Sequence, residues 1–140
     1  MTQPSLHLLL LEAFLRSNRE LLQRLPEAEL LPGQPKLLEF LLTHDGCSQR
    51  DISEGCILDK STVTSLLKRM EASALISKEA NVNDQRSSLI SLTELGKQKA
   101  LWVQQTLCEI DEAELADITS EERRQFKQTL AKIIQNQKNW

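Results

Sequence analysis

Tyrosine is absent from this chain of 140 residues, and aromatic residues make up only 4% of it. Because β-sheets are enriched in aromatic and β-branched side chains, the scarcity argues against a sandwich or barrel and favours helices. Only 4 Gly and 4 Pro are present, which excludes collagen-like and low-complexity chains. Hydrophobic residues reach 40%, enough for the core of one domain.

Long hydrophobic runs are also missing. The longest, over residues 6–11, is interrupted by His7 and has no Lys or Arg before it. It is too short to span a membrane and predicts neither an anchor nor a signal peptide. The three cysteines, at 47, 56 and 108, have no metal-like spacing and fit reduced thiols. We expect a cytoplasmic protein with a net charge of −3 and no membrane partner.

Motifs of catalysis and metal binding do not occur. The chain has no Gly-rich phosphate loop, no G-x-S-x-G and no paired-carboxylate motif. His7 and His44 fall in different predicted helices, without Cys, Asp or Glu at ligand spacing. The sequence therefore predicts neither an enzyme nor a metal or cofactor site.

Hydrophobic periodicity predicts long helices at both ends of the chain. The first covers residues 5–25 and ends at Pro26; another runs from the cap Thr93 to about residue 110. Thr119 and Glu122 form a capping box for the last helix. The first helix carries two apolar stripes, at 8, 11, 15, 22 and 25 and at 10, 14 and 21. One core face needs a single stripe, so we expect burial on two sides, either inside the chain or against a second subunit.

The middle of the chain predicts a helix-turn-helix followed by a hairpin. Helices are expected over 32–43, over 49–56 after the cap Ser48, and over 60–73 after the cap Asp59. Strands over 75–80 and 88–92 flank a polar turn whose tip carries Arg86. The predicted fold class is mainly α, an α+β winged helix with long helices on either side.

The helix predicted over 60–73 has two different faces. The apolar face, at i, i+3, i+4 and i+7, comprises Val63, Leu66, Leu67 and Met70. The opposite face, at the same spacing, comprises Ser61, Thr64, Ser65 and Lys68. A face of small hydroxyls and a cation, without an acid, suits close approach to an anionic groove.

Five segments between residues 30 and 100 together carry a family pattern. They are LLPGQPKLL (30–38), SQRDISEGC (48–56), DKSTVTSLLKRME (59–71), DQR (84–86) and SLTELG (91–96). In this order they resemble the MarR family of bacterial transcriptional regulators. The resemblance implies one MarR-like domain over 1–140, with a winged helix-turn-helix DNA-binding lobe over 30–100. Residues 5–25 and 101–140 then correspond to the dimerisation helices of a homodimer.

The function implied is that of a sequence-specific regulator, most often a repressor, on a pseudo-palindromic operator in double-stranded DNA. The recognition helix is expected in the major groove and the wing in the minor groove. The residues that match family DNA contacts are Ser48, Gln49, Lys60, Ser61, Thr62, Thr64, Ser65, Lys68 and Arg86. Asp84 matches an acid that structures the wing. Mere capping by Ser61 and Thr62, and a solvated turn for Arg86, remain alternatives.

Departures from the family pattern support a second hypothesis. Ser65 and Ser87 stand where many relatives carry Arg, and Ile57 stands where a turn glycine is usual. Residues 47–100 hold eight Lys and Arg against seven Asp and Glu, fewer excess cations than a DNA-binding domain usually has. The alternative is a winged-helix protein-interaction module that has lost DNA binding. A steep salt dependence distinguishes DNA binding from a protein interface.

Two ways of sensing a signal follow from the resemblance. Many relatives bind a small aromatic acid in a cleft between the dimer helices and the winged lobe. Phe14, Phe40 and Trp102 either line such a cleft or belong to the core. Another branch senses peroxides through a first-helix cysteine bonded to tyrosines. This chain has no Cys before position 47 and no Tyr, so that mechanism does not carry over.

Overall fold

The computed structural model describes residues 2–140 except the side chain of Gln85, so Met1 of the predicted domain lies outside the described residues. The helices are α1 (Leu6–Arg24), α2 (Gln34–Thr43), α3 (Gln49–Cys56), α4 (Lys60–Ala72), α5 (Glu94–Glu114) and α6 (Ser120–Lys138). The strands are β1 (Cys47–Ser48), β2 (Ile76–Asn81) and β3 (Asp84–Leu92), paired antiparallel in the order β1-β3-β2. The predicted winged-helix class and element order are confirmed.

Helix starts follow the predicted caps. Side-chain oxygens of Ser48, Asp59, Thr93 and Thr119 each accept a hydrogen bond from a backbone N–H three residues later. The capping box predicted at Thr119 is half formed, because the Glu122 carboxylate accepts from the Thr119 hydroxyl at 3.3 Å and not from its N–H. The predicted start of α2 at Pro32 is wrong by two residues, since the left-handed Gly33 precedes it.

The wing is a longer hairpin than predicted. Its strands extend to a two-residue turn, Val82 and Asn83, because Asn81 accepts the Asn83 N–H at 3.0 Å and closes the tip. The two-residue strand β1 was not predicted, being too short for a periodic signal. The Asp45 side chain accepts the N–H of Leu92 at 2.9 Å and joins the wing's base to the end of α2.

One core unites the lobe and α5. Leu38 of α2, Ile52 of α3, Leu67 of α4 and Val103 of α5 are fully buried in it. Helix α5, predicted to end near residue 110, continues to Glu114; Ile110 is its last residue in this core, and residues 111–114 are exposed. A Cβ on Gly96 would lie 2.0 Å from the carbonyl oxygen of Leu75. The glycine of the SLTELG segment therefore allows α5 to start against the base of the wing.

The terminal helices leave much of their apolar surface uncovered. Within α1 only Leu21 is buried, while Leu8, Leu11 and Leu15 of the predicted core stripe are 45–56% exposed. No residue of α6 is buried, although Phe126 and Ile134 lie on its apolar face. In a single chain, α1 is thus covered on one side and not on two. None of the helices within residues 2–140 is both long and apolar enough to cross a membrane.

Candidate nucleic-acid interface

The exposed face of α4 is the face predicted from the sequence. Val63, Leu67 and Met70 are fully buried and fix the helix on the lobe, and Leu66 is half-buried. The opposite side forms a shallow surface depression lined by Lys60, Ser61, Thr64, Ser65 and Lys68. Five of the nine predicted contact residues are thereby brought together.

The first turn of α4 is organised by Asp59. Its Oδ1 accepts the N–H of Thr62 at 2.7 Å and the hydroxyl of Ser61 at 2.9 Å. The hydrogen bond from the Thr62 backbone is the main reason that the pKa of Asp59 lies below its usual value. The proton of Ser61 is therefore engaged, which leaves acceptor lone pairs on its oxygen. The side chain of Thr62 lines a different surface, a cleft behind α4, and is separated from the other predicted contacts.

Helix α3 contributes both a cap and a link to α4. Ser48 Oγ accepts the N–H of Asp51 at 3.1 Å, while the Ser48 N–H is donated to Asp51 Oδ2 at 3.0 Å. The latter bond chiefly lowers the pKa of Asp51. The Ser48 hydroxyl proton is not used by these bonds and is available to a phosphate. Gln49 donates from Nε2 to Thr64 Oγ1, a contact between helices that sequence spacing did not predict.

The wing holds Arg86 next to its tip. Asp84 Oδ1 accepts the backbone N–H of Arg86 at 3.0 Å, so this acid orients the main chain and does not bind the guanidinium. Ser87, which replaces a frequent arginine, accepts from Asn81 Nδ2 at 3.2 Å. Among the described residues no acid pairs with Arg86, Lys60 or Lys68, whereas Lys78 lies 4.0 Å from Glu71. These three cations therefore face solvent without a neutralising partner.

A cleft of about 920 Å³ separates α1 from the lobe. Its walls include Phe14 and Leu22 of α1, Phe40 of α2, Ile57 of the α3–α4 turn, and Thr62 and Leu66 of α4. Of the two alternatives, Phe14 and Phe40 line the cleft, although Phe40 also packs against the core, and Trp102 packs half-buried against the core.

Two residues that line this cleft, Gly55 and Ile57, have special backbone requirements. A Cβ on Gly55 would lie 2.2 Å from Phe40 Cε2, so the glycine leaves room for the ring, which stacks on His44 at a centroid distance of 4.1 Å. Ile57 adopts the left-handed conformation at φ 55° and is 88% exposed. A β-branched residue is strained there, as expected where relatives carry glycine.

The cysteines of the lobe are poor nucleophiles. Burial raises the pKa of Cys47 to about 11, with a further contribution from Asp51. Burial also raises the pKa of Cys56, which is buried, whereas Cys47 is only half-buried. Because the thiolate is the reactive form, both groups are held in the unreactive thiol state. Cys108 is exposed on α5.

Comparisons with known proteins agree with this architecture. The MarR family profile matches residues 29–87. The organic hydroperoxide resistance transcriptional regulator of Bacillus subtilis is 34% identical over 112 residues, which span 75% of this chain and 73% of the relative. A MarR-family regulator from Silicibacter pomeroyi superposes with a TM-score of 0.81 at 25% identity, covering 91% of this chain and 86% of that one.

A solved protein–DNA complex has a similar fold. The S. aureus MepR–DNA complex gives a TM-score of 0.84 at 23% identity and covers 96% of this chain and 99% of that one. Members of this family are transcriptional regulators and not enzymes. From the family profile, the Bacillus relative and the winged-helix fold, the chain belongs to the MarR family of transcriptional regulators.

Proposed function

We propose that the protein is a homodimeric repressor that binds a pseudo-palindromic operator, with α4 in the major groove and the wing in the minor groove. The observation that carries the proposal is the α4 face: three hydroxyl side chains lie between two cations that have no ion-pair partner within residues 2–140. Major-groove recognition requires short side chains that allow the helix to approach base edges closely, together with cations for the flanking phosphates.

The wing adds a second contact of different chemistry. Arg86 is exposed beside the hairpin tip, and the bond from its N–H to Asp84 fixes the direction of the main chain there. Narrow, A·T-rich minor grooves have an enhanced negative potential that attracts arginine. We infer that Arg86 enters the minor groove while α4 occupies the adjacent major groove.

The dimer is proposed from the terminal helices. Helix α1 exposes Leu8, Leu9, Phe14 and Leu15 by more than half, and α6 has no buried residue. Apolar surface of this extent marks an interaction site. Since both helices belong to every copy, a second copy can cover α1 and α6 through one symmetric contact. Such a dimer presents two α4 helices, which a pseudo-palindrome matches.

The repressor role is proposed from the functions that the described residues can support. They include a lobe proposed to bind DNA and helices proposed to pair two copies. We therefore infer that the protein regulates by occupying its operator. A dimer on two half-sites across a promoter excludes the polymerase from it.

The test is selection of duplexes from a random-sequence library by the purified protein. We expect enrichment of a pseudo-palindrome, with an affinity that falls steeply as salt rises because counterions are released from phosphates. A folded dimer that enriches no duplex overturns the proposal and supports the protein-interaction module. Binding of a selected duplex that is insensitive to salt also contradicts it.

A small aromatic effector in the cleft is a second proposal, supported by the cleft's position. Its walls belong at once to α1, to the α3–α4 turn and to α4, so a ligand there touches the pairing and the DNA-binding elements together. The Bacillus relative is named for hydroperoxide resistance, but the high pKa values of Cys47 and Cys56 do not favour a thiol sensor here. Benzoate is a suitable probe. We expect it to raise the melting temperature of the wild type and of Val82→Ala, a change on the wing outside the cleft, but not of Phe40→Ala; an equal rise in all three contradicts the cleft.

A further inference from the structure

We propose that Thr64 recognises the C5-methyl group of a thymine, and that Gln49 holds the Thr64 side chain in the orientation this requires. The inference rests on the proposed DNA binding and adds which atom of α4 meets which base. It also gives Gln49 a different role from the phosphate contact that the family resemblance implies.

The hydroxyl of Thr64 is already occupied within the protein. Its Oγ1 accepts a hydrogen bond from Gln49 Nε2 and donates its own proton to the carbonyl oxygen of Lys60 at 2.8 Å. A hydroxyl has one proton and two lone pairs, so the proton and one lone pair are used. Thr64 therefore has no donor left for the acceptors that guanine, adenine or thymine present in the major groove.

The methyl group and one lone pair of Oγ1 remain for the DNA, and of these only the methyl is an apolar group that selects thymine. The two bonds of Oγ1 direct it back along α4 towards Lys60 and across to Gln49, which selects one side-chain rotamer. Thr64 is exposed and lines the depression that also contains Ser61 and Ser65, so we infer that its methyl, held in one orientation, is presented there. Among the four bases only thymine offers a methyl group in the major groove, and the threonine methyl is one of its usual partners.

Gln49 acts as a positioning residue from a well-anchored helix. It is half-buried in the first turn of α3, directly after Ser48, whose reciprocal bonds with Asp51 fix that turn. Ser65 provides a contrast one residue further along α4. Among the described residues its hydroxyl makes no hydrogen bond, so Ser65 is free to rotate where Thr64 is not.

The experiment replaces the thymines of the selected operator by deoxyuridine, one position at a time. Uracil keeps every hydrogen-bonding group of thymine and lacks only the methyl. At one thymine in each half-site we expect the dissociation constant to rise about fourfold, equivalent to about 0.8 kcal/mol for one buried methyl-sized group. An operator on which no such replacement weakens binding overturns the inference.

Two variants of Thr64 separate the contribution of its methyl group from that of its hydroxyl group. Thr64→Ser keeps the hydroxyl and removes the methyl, so its thymine-to-uracil affinity ratio at that position should fall to about 1. Thr64→Val keeps a methyl but loses both hydroxyl bonds that orient it, so the ratio should fall below fourfold and stay above that of Thr64→Ser. The reverse pattern, or an unchanged ratio in Thr64→Ser, overturns the assignment.

The positioning role is tested by Gln49→Met, which keeps the length of the side chain but cannot donate. We expect the thymine-to-uracil ratio to fall towards 1 while the melting temperature and the salt dependence of binding stay as in the wild type. An undiminished ratio removes Gln49 from the mechanism. Failure of the proposed function looks different, because then no duplex is enriched and no operator exists to substitute.

Discussion

The winged lobe and the terminal helices treat their apolar side chains differently. In the lobe, Val63, Leu67 and Met70 are fully buried, and the polar face of α4 is directed at solvent. In α1 the relation is reversed, since Leu8 and Leu15 are exposed while a single residue of the helix is buried. The lobe therefore completes its core within one chain, whereas the terminal helices leave apolar surface uncovered, the surface on which the proposed dimer rests.

The largest expected effect is on dimerisation through the terminal helices. Leu15→Glu removes an apolar contact from both copies of a symmetric dimer, each worth about 1.5–3 kcal/mol when fully buried. The dimer dissociation constant should rise more than about 100-fold, measured by sedimentation equilibrium. Val82→Glu changes an equally apolar and 92% exposed residue of the wing, and should leave the dimer intact. A dimer that survives Leu15→Glu unchanged contradicts the pairing role of α1.

The next effect acts on the lobe. Gly96→Ala places a Cβ against the carbonyl oxygen of Leu75, a backbone atom that cannot turn aside. The free energy of unfolding should fall by about 3 kcal/mol, the upper range for overpacking, as measured by urea denaturation. Gly55→Ala is the matched control, because the group it meets is the movable ring of Phe40, and its loss should be smaller. Equal losses contradict this account of how α5 packs.

The third prediction compares the DNA affinity of one variant in the winged lobe with that of one variant in a terminal helix. Arg86→Ala removes the wing's minor-groove contact and should weaken operator binding by about 1–3 kcal/mol, the scale of one good groove contact. Arg124→Ala removes the same charge from α6, where Glu121 already binds it, and should leave affinity nearly unchanged. Fluorescence anisotropy with the selected operator measures both. Similar affinities for the two variants contradict the wing assignment.

The smallest effect is a gain in stability at the α3–α4 turn. Ile57→Gly relieves a left-handed β-branched residue whose exposed side chain contributes little packing. The net gain should be about 1 kcal/mol, since strain of about 1–3 kcal/mol is offset in part by the greater freedom of glycine in the unfolded chain. Ile57→Ala keeps a Cβ and should gain less. A loss of stability in Ile57→Gly shows that the side chain packs in solution.

Much of the lobe could be predicted from local signals. The caps Ser48, Asp59 and Thr93 and the apolar stripe of α4 depend on residues a few positions apart, and each prediction is confirmed by the structure. The two-residue strand β1 and the true end of α5 were missed. Strand β1 depends on a partner distant in the chain, Ile90, whereas the last turn of α5, residues 111–114, is exposed and nothing in the core explains its extent.

In the candidate site, too, some features follow from nearby residues and others depend on distant parts of the chain. That α4 presents hydroxyls and a cation on one face follows from helical spacing alone. That Thr62 turns towards the cleft, and that Trp102 joins the core, could not be read from spacing, because each depends on which neighbouring element covers it. The DNA contacts themselves stay predictions. The structure shows which of the predicted side chains lie on one surface and that Thr62 lies on another.

The sequence by itself determined the helix starts, the two faces of α4, the polar hairpin and the surplus of leucines in α1, because each is set by the chemistry of neighbouring residues. Only the tertiary structure decided that Gln49 bonds to Thr64 and that α1 lines a cleft against the lobe. The physical reason is that directed hydrogen bonds and cavities depend on distances between separate elements. Those distances are fixed when helices and strands pack on a common core.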